Sequence, residues 1–140
     1  PDEIVYVGLR DVDSGEKATI KDLGIRAFTM TDVDRLGIGG VMSEVCAHFS
    51  SRDMDIHCSF DIDAIDPFYA PHTGTHVVGG LSFREGNYIT ESLHATGRLH
   101  SLELVEINPQ QTSNVSTISP RHTIEMGLHI IRGALGETIL

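Results

Sequence analysis

The stretch Cys58-Ser59-Phe60-Asp61-Ile62-Asp63-Ala64-Ile65-Asp66-Pro67 decides how the chain is read, because it joins an apolar run to three carboxylates and stops at a proline. The segment leading into it, Asp55-Ile56-His57-Cys58-Ser59-Phe60, favours β structure. If residues 56–62 are extended, side chains alternate between faces, so Asp61 and Asp63 point the same way and Ile62 the other. Two carboxylates on one face, about 7 Å apart at the backbone, can converge on one or two hard cations, and without a cation they repel. Acid-rich strand ends also cap helices and make turns, and Asp66-Pro67 initiates a turn on either reading.

Composition limits the rest. The chain has 140 residues, enough for one domain with its own core, and 40% of them are hydrophobic, as in ordinary soluble proteins. No run of eighteen apolar residues and no basic-then-apolar leader occurs, and the chain opens Pro1-Asp2-Glu3-Ile4 on the approach to a strand. The expectation is therefore a piece of a longer domain. Cys46 and Cys58 are too few for a disulfide framework and read as buried free thiols, which favours a reducing, intracellular setting, cytoplasmic rather than mitochondrial. A formal net charge of −10 argues against nucleic acid and anionic membranes as partners and suits a cationic substrate.

Strands are expected near 4–9, 25–30, 56–62 and 101–107, alternating with helices near 15–23, 33–49, 84–96 and 121–135. This alternation implies part of a parallel β-sheet flanked by helices on both faces, an α/β fold. In such sheets ligands bind beyond the C-terminal strand ends. Asp13 and Glu16, after the first strand, and Glu106, at the C-terminal end of the last, are candidates by that position. Asp13 or Ser14 also makes a good N-cap, with Glu16 a first-turn acid. Thr31 or Asp32 is expected to cap the second helix, which Gly37, Gly39 and Gly40 weaken, and His48 on it is expected to be a surface or satisfied histidine. Residues 67–80 form a functional loop in which Thr73 and Thr75 offer hydroxyls and Gly79-Gly80 allows close backbone approach. Gln110 to Ser119 reads as an exposed loop, with Pro120 opening the last helix.

The ordered string Ser59-Phe60-Asp61-Ile62-Asp63-Ala64-Ile65-Asp66-Pro67, Ala70-Pro71, Thr73-Gly74-Thr75, Val77-Val78-Gly79-Gly80-Leu81 resembles the signature of the ureohydrolases, the family of arginases and agmatinases. Val77-Val78-Gly79-Gly80, Arg84-Glu85-Gly86, Tyr88-Ile89 and Asn108-Pro109 look more like arginase. The resemblance implies a three-layer α/β/α domain of which residues 1–140 are the C-terminal portion, the N-terminal half being absent. It implies two manganese ions, with Asp61 bridging both and Asp63 binding one. It also implies that Asp13 and Glu16 hold the substrate's α-amino group, that Thr75 lies beside the reacting guanidinium and that Glu106 pairs with it. Two positions depart from the pattern: His72 stands where arginases carry glycine or alanine, and His76 where they carry proline. Loss of that proline is expected to loosen the loop by roughly 0.4–1 kcal/mol.

The implied reaction is hydrolysis of L-arginine to L-ornithine and urea, the metals lowering the pKa of water to make a nucleophile near neutral pH. The family's other ligands, an Asp-x-His-x-Asp motif and a separate histidine, have no counterpart here, so the fragment alone is expected to be inert. An agmatinase-type parent, or a non-catalytic arginase-like binding module, are the alternatives. The family also implies a homotrimer; Asp34 resembles a subunit-contact position, while the arginine that joins subunits has no counterpart after Gly136.

Overall fold

In a computed structural model, which describes residues 1–110 and 119–138, four strands alternate with four helices. In chain order they are β1 (Val5–Leu9), α1 (Ser14–Asp22), β2 (Arg26–Thr29), α2 (Met30–Ser50), β3 (Ile56–Asp61), α3 (Phe83–Ala95), β4 (Leu99–Val105) and α4 (Pro120–Ala134), with a 3-10 turn at Ile62–Ala64. Most of the expected loop between Gln110 and Ser119 lies outside the described residues.

Local chemistry explains the boundaries. Asp13 caps α1 and Ser82 caps α3, each in a reciprocal box with a glutamate three residues on. Pro120 begins α4 behind the N-cap Ser119, where its missing N–H costs nothing. The second helix differs from expectation: its cap is Thr29, paired with Asp32, so the helix starts directly from β2. Asp32 does contribute, as the third-position partner rather than as the cap. Gly37 interrupts α2 with φ 68° and ψ 158°, a backbone state that glycine alone adopts at little cost, so the glycines kink the helix as well as weakening it. Gly97, with φ 66°, follows the end of α3 as a C-terminal glycine. His48 is satisfied at the surface, donating to Asp2 O at 2.8 Å and meeting Arg52 at 3.0 Å.

All strand pairing is parallel, as the alternation implies, but among the described residues it forms two separate two-stranded sheets, β1 with β2 and β3 with β4. Part of one parallel sheet was the expectation; consecutive strands pair here, and each of the four leaves one edge unpaired among the described residues. Helix α2 packs on β1, β2 and α3, and α4 packs on α3 and β4, joining the two halves through one core. Ile62, Ile65, Leu81, Val41 and Ile130 are at its centre, each nearly or fully buried. Burial of such side chains contributes about 1.5–3 kcal/mol apiece. Cys46 and Cys58 are free thiols, and burial pushes Cys58 up to about 11. No helix among the described residues is long and apolar enough to cross a membrane.

Between β3 and α3 the chain makes a long loop whose base is closed. Ile65 and Leu81 form a parallel bridge, Leu81 N donates to Ala64 O at 2.9 Å, and Asp66 N donates to Leu81 O at 2.8 Å. Gly80 passes so near that a Cβ there would lie 2.7 Å from Asp66 N and 2.8 Å from Ala64 O, contacts that backbone cannot yield. The Asp66 carboxylate then accepts from Phe68 N at 2.9 Å, Gly79 N at 2.7 Å and Gly80 N at 3.1 Å. Desolvation raises this carboxyl, but these backbone donors, with Arg10 nearby, hold it below its ordinary value of 3.8.

A carboxyl lowered in the folded state stabilises the fold above its unfolded pKa and loses that contribution as pH falls through the folded value. Asp66→Asn, which keeps the shape without the charge, is expected to lower the urea midpoint at pH 7. The gap from wild type should shrink as pH drops below the ordinary value of 3.8. A gap that is constant from pH 7 to pH 2 would show that the carboxylate charge does not fix the loop.

Candidate active site

The acids gather where β3 ends. Asp61 is the last strand residue and caps the 3-10 turn, its Oδ1 accepting from Asp63 N at 3.0 Å. The strand therefore stops one residue earlier than expected, and the turn, not strand alternation, sets the direction of Asp63. Ile62, completely buried between the two acids, anchors that turn in the core. Asp63 is raised above its ordinary value by desolvation first and then by the charge of Asp61, with Glu106 adding to the repulsion and Arg10 opposing it. Asp61, Asp63 and Glu106 thus share one electrostatic neighbourhood.

Glu106 arrives from the other sheet partner. It follows the last residue of β4 and has φ 64°, one of two non-glycine residues with left-handed backbone among those described. That conformation turns the chain out of the strand, so β4 ends two residues before the expected limit. The Glu106 carboxylate comes to rest against the long loop: a Cβ built on Gly74 would lie 3.6 Å from Oε2. Asn108 N donates to His72 O at 3.0 Å, and His72 N donates to Thr123 Oγ1 at 3.1 Å, tying the loop to the β4 exit and to α4.

Within the loop Thr75 is exposed, whereas Thr73 is buried and its Oγ1 has no partner among the described residues. His76, standing in place of a proline, donates its Nε2 to Pro71 O at 2.6 Å and closes a six-residue segment by a side-chain tie. Asp13 and Glu16 are both exposed and serve each other in the capping box, Asp13 N donating to Glu16 Oε2 at 2.9 Å and Gly15 N and Glu16 N donating to Asp13 Oδ1 at 2.7 and 2.9 Å. The cap occupies one oxygen of each, leaving Asp13 Oδ2 and Glu16 Oε1 outside it.

Arg10, directly after β1, was not marked by sequence reasoning, although a lone arginine between an apolar strand and a run of acids is a visible signal. Its Nε donates to Val77 O at 2.9 Å and its Nη2 to Asp63 O. As donors, Asp61 and Asp63 are hard oxygen ligands of the kind that manganese, magnesium or calcium prefer, and their mutual repulsion is what a bound cation would relieve. They fit part of a coordination sphere: no group of three or more histidine, cysteine or carboxylate side chains able to hold a metal occurs among the described residues.

Comparison with known proteins bears on the whole arrangement. The chain is 49% identical to an arginase of Coccidioides immitis over 140 residues, all of this chain and 42% of that protein. It superposes on the native arginase of Bacillus caldovelox with a TM-score of 0.91 at 36% identity, covering 100% of this chain and 45% of that one. An Entamoeba histolytica arginase solved in complex with L-ornithine matches with a TM-score of 0.85 at 35% identity, over 97% of this chain and 44% of that one. The chain thus spans less than half the length of these relatives, and its fold is the arginase-like α/β fold. The arginase family model matches residues 1–136, so the chain belongs to the arginase family.

Proposed function

We propose that residues 1–140 form the C-terminal portion of a manganese-dependent arginase domain, and that a longer parent hydrolyses L-arginine to L-ornithine and urea. The observation that carries this is that the Asp61–Asp63 pair and Glu106 stand at the ends of two paired strands, with the Glu106 carboxylate against Gly74, the neighbour of Thr75. Bound manganese would supply Lewis-acid activation of water, with Asp61 and Asp63 among the residues that hold it. Glu106 accepts paired N–H donors of the guanidinium, the planar match that makes carboxylate–guanidinium contacts strong and directional. Thr75 offers its hydroxyl beside the same group. Asp13 and Glu16 attract the α-ammonium end through the oxygens that the capping box leaves over, so one pair of side chains both fixes α1 and selects the substrate. The ornithine-bound relative supports an arginine-related ligand, and the net charge of −10 favours a cationic one.

Expressed alone with saturating manganese, the 140-residue chain is expected to release no urea from arginine above background. Two carboxylates leave most of the roughly six positions around each ion unfilled. Measurable turnover would overturn the claim that ligands from elsewhere in the parent are needed.

In the parent, Asp61→Ala and Asp63→Ala are each expected to lower the bound manganese below two ions per chain, read by elemental analysis after gel filtration. Retention of two tightly held ions in both variants refutes the ligand assignment.

The substrate end is tested by Asp13→Asn and Glu16→Gln, which keep the capping acceptors while removing charge. Each direct contact to an α-ammonium is worth about 1.5–3 kcal/mol, so kcat/KM for arginine should fall about ten- to a hundredfold. Agmatine, which is arginine without its α-carboxylate, carries an ammonium at the same end, so its turnover should fall alongside arginine's if the contact is to that ammonium. Unchanged arginine kinetics would reduce Asp13 and Glu16 to helix caps, and a parent that prefers agmatine would replace the arginase reading with an agmatinase one.

A further inference from the structure

Arg10 connects parts of the chain that no secondary-structure element joins. Its two carbonyl acceptors lie 53 and 67 residues away in sequence, one on the turn that carries Asp63 and the other two residues beyond Thr75. The strand before it is shaped for this reach. The β1–β2 register shifts between Val7 and Leu9, and Gly8 takes φ 85°, with the position of an added Cβ only 3.3 Å from Leu81 Cδ1. The end of β1 is thereby pressed against the residue that closes the base of the loop. From there the guanidinium reaches the loop on one side and the 3-10 turn on the other, half-buried, with its charge facing Asp63 and Asp66.

The choice of arginine follows from the two acceptors. Separate N–H groups of one rigid plane can satisfy two carbonyls held at a fixed angle, whereas a lysine ammonium is a point donor on a flexible stem. A partly buried carbonyl without a donor is costly, so losing the guanidinium releases both segments at once.

We infer that Arg10 is a positioning residue: its guanidinium clamps the turn bearing Asp63 to the loop bearing Thr75 and holds both against the end of β1. The consequence for catalysis rests on the arginase reading above, while the clamp itself is a statement about backbone order and is measurable without it.

The test uses the full-length parent with Arg10→Met and Arg10→Lys, comparing amide hydrogen exchange by mass spectrometry with arginine kinetics. In Arg10→Met, exchange across residues 62–80 should rise about tenfold or more, the equivalent of one lost charge-assisted hydrogen bond, with little change elsewhere. The same variant should lose about ten- to a hundredfold in kcat with KM within about threefold, because the reacting end is displaced while the substrate's amino-acid end is still held. Arg10→Lys restores charge without the fork and should recover no more than a small part of either effect. Should Arg10→Met not fold, Arg10→Lys carries the exchange comparison. Unchanged exchange at residues 62–80, a uniform rise over the whole chain, or full recovery by lysine would each overturn the inference. A wild-type parent inert towards arginine would sink the functional reading instead, and the exchange comparison would still decide the clamp.

Discussion

One carboxylate governs the order of everything around the site. Asp66 stands at the start of a long loop without regular structure and takes N–H donors from Phe68 on one side and from Gly79 and Gly80 on the other, so the two ends of the loop converge on a single side chain. The bridge between Ile65 and Leu81 completes the closure, and Gly80 is the residue that lets the backbones come that close. With the base fixed, the tip has few ways to move: His76 ties it to Pro71, and Asn108 ties the neighbouring segment to the exit of β4. These ties restrict the shapes open to a loop without regular structure, and hydrogen bonds to a charged acceptor are the strongest of them.

The layered plan was legible in the sequence because apolar runs and acid-capped helices carry it locally. Asp13 with Glu16 and Ser82 with Glu85 write their capping boxes into four residues. What was not legible depends on contacts far along the chain. Thr29 is a cap only because β2 is four residues long and runs straight into α2, leaving no linker in which Thr31 could serve. The pairing of β3 with β4 rather than with β1 is a matter of tertiary placement, and no periodicity encodes it.

At the site the same division holds. Asp61 and Asp63 followed as neighbours from their positions at the strand end, and they do face one another, but across a 3-10 turn anchored by the buried Ile62 rather than along an extended strand. Arg10 escaped notice for a related reason: its partners are backbone carbonyls, which every residue possesses and no motif marks. The role expected of Asp13 and Glu16 as caps is present in the geometry, and it leaves one oxygen of each carboxylate outside the box.

Glu106 ends β4 in a left-handed conformation, with φ 64°, that costs a residue bearing a side chain about 1–3 kcal/mol. Glycine would occupy the same backbone without strain, and it would also erase the carboxylate that rests against Gly74. Position 106 therefore sets two forms of selection against each other. A library sorted only for melting temperature or expression would drift towards glycine there, whereas, on the proposed arginase reading, one sorted for turnover would hold the glutamate and accept a less stable fold. An engineer who raises the stability of this protein by relieving backbone strain should leave this residue alone.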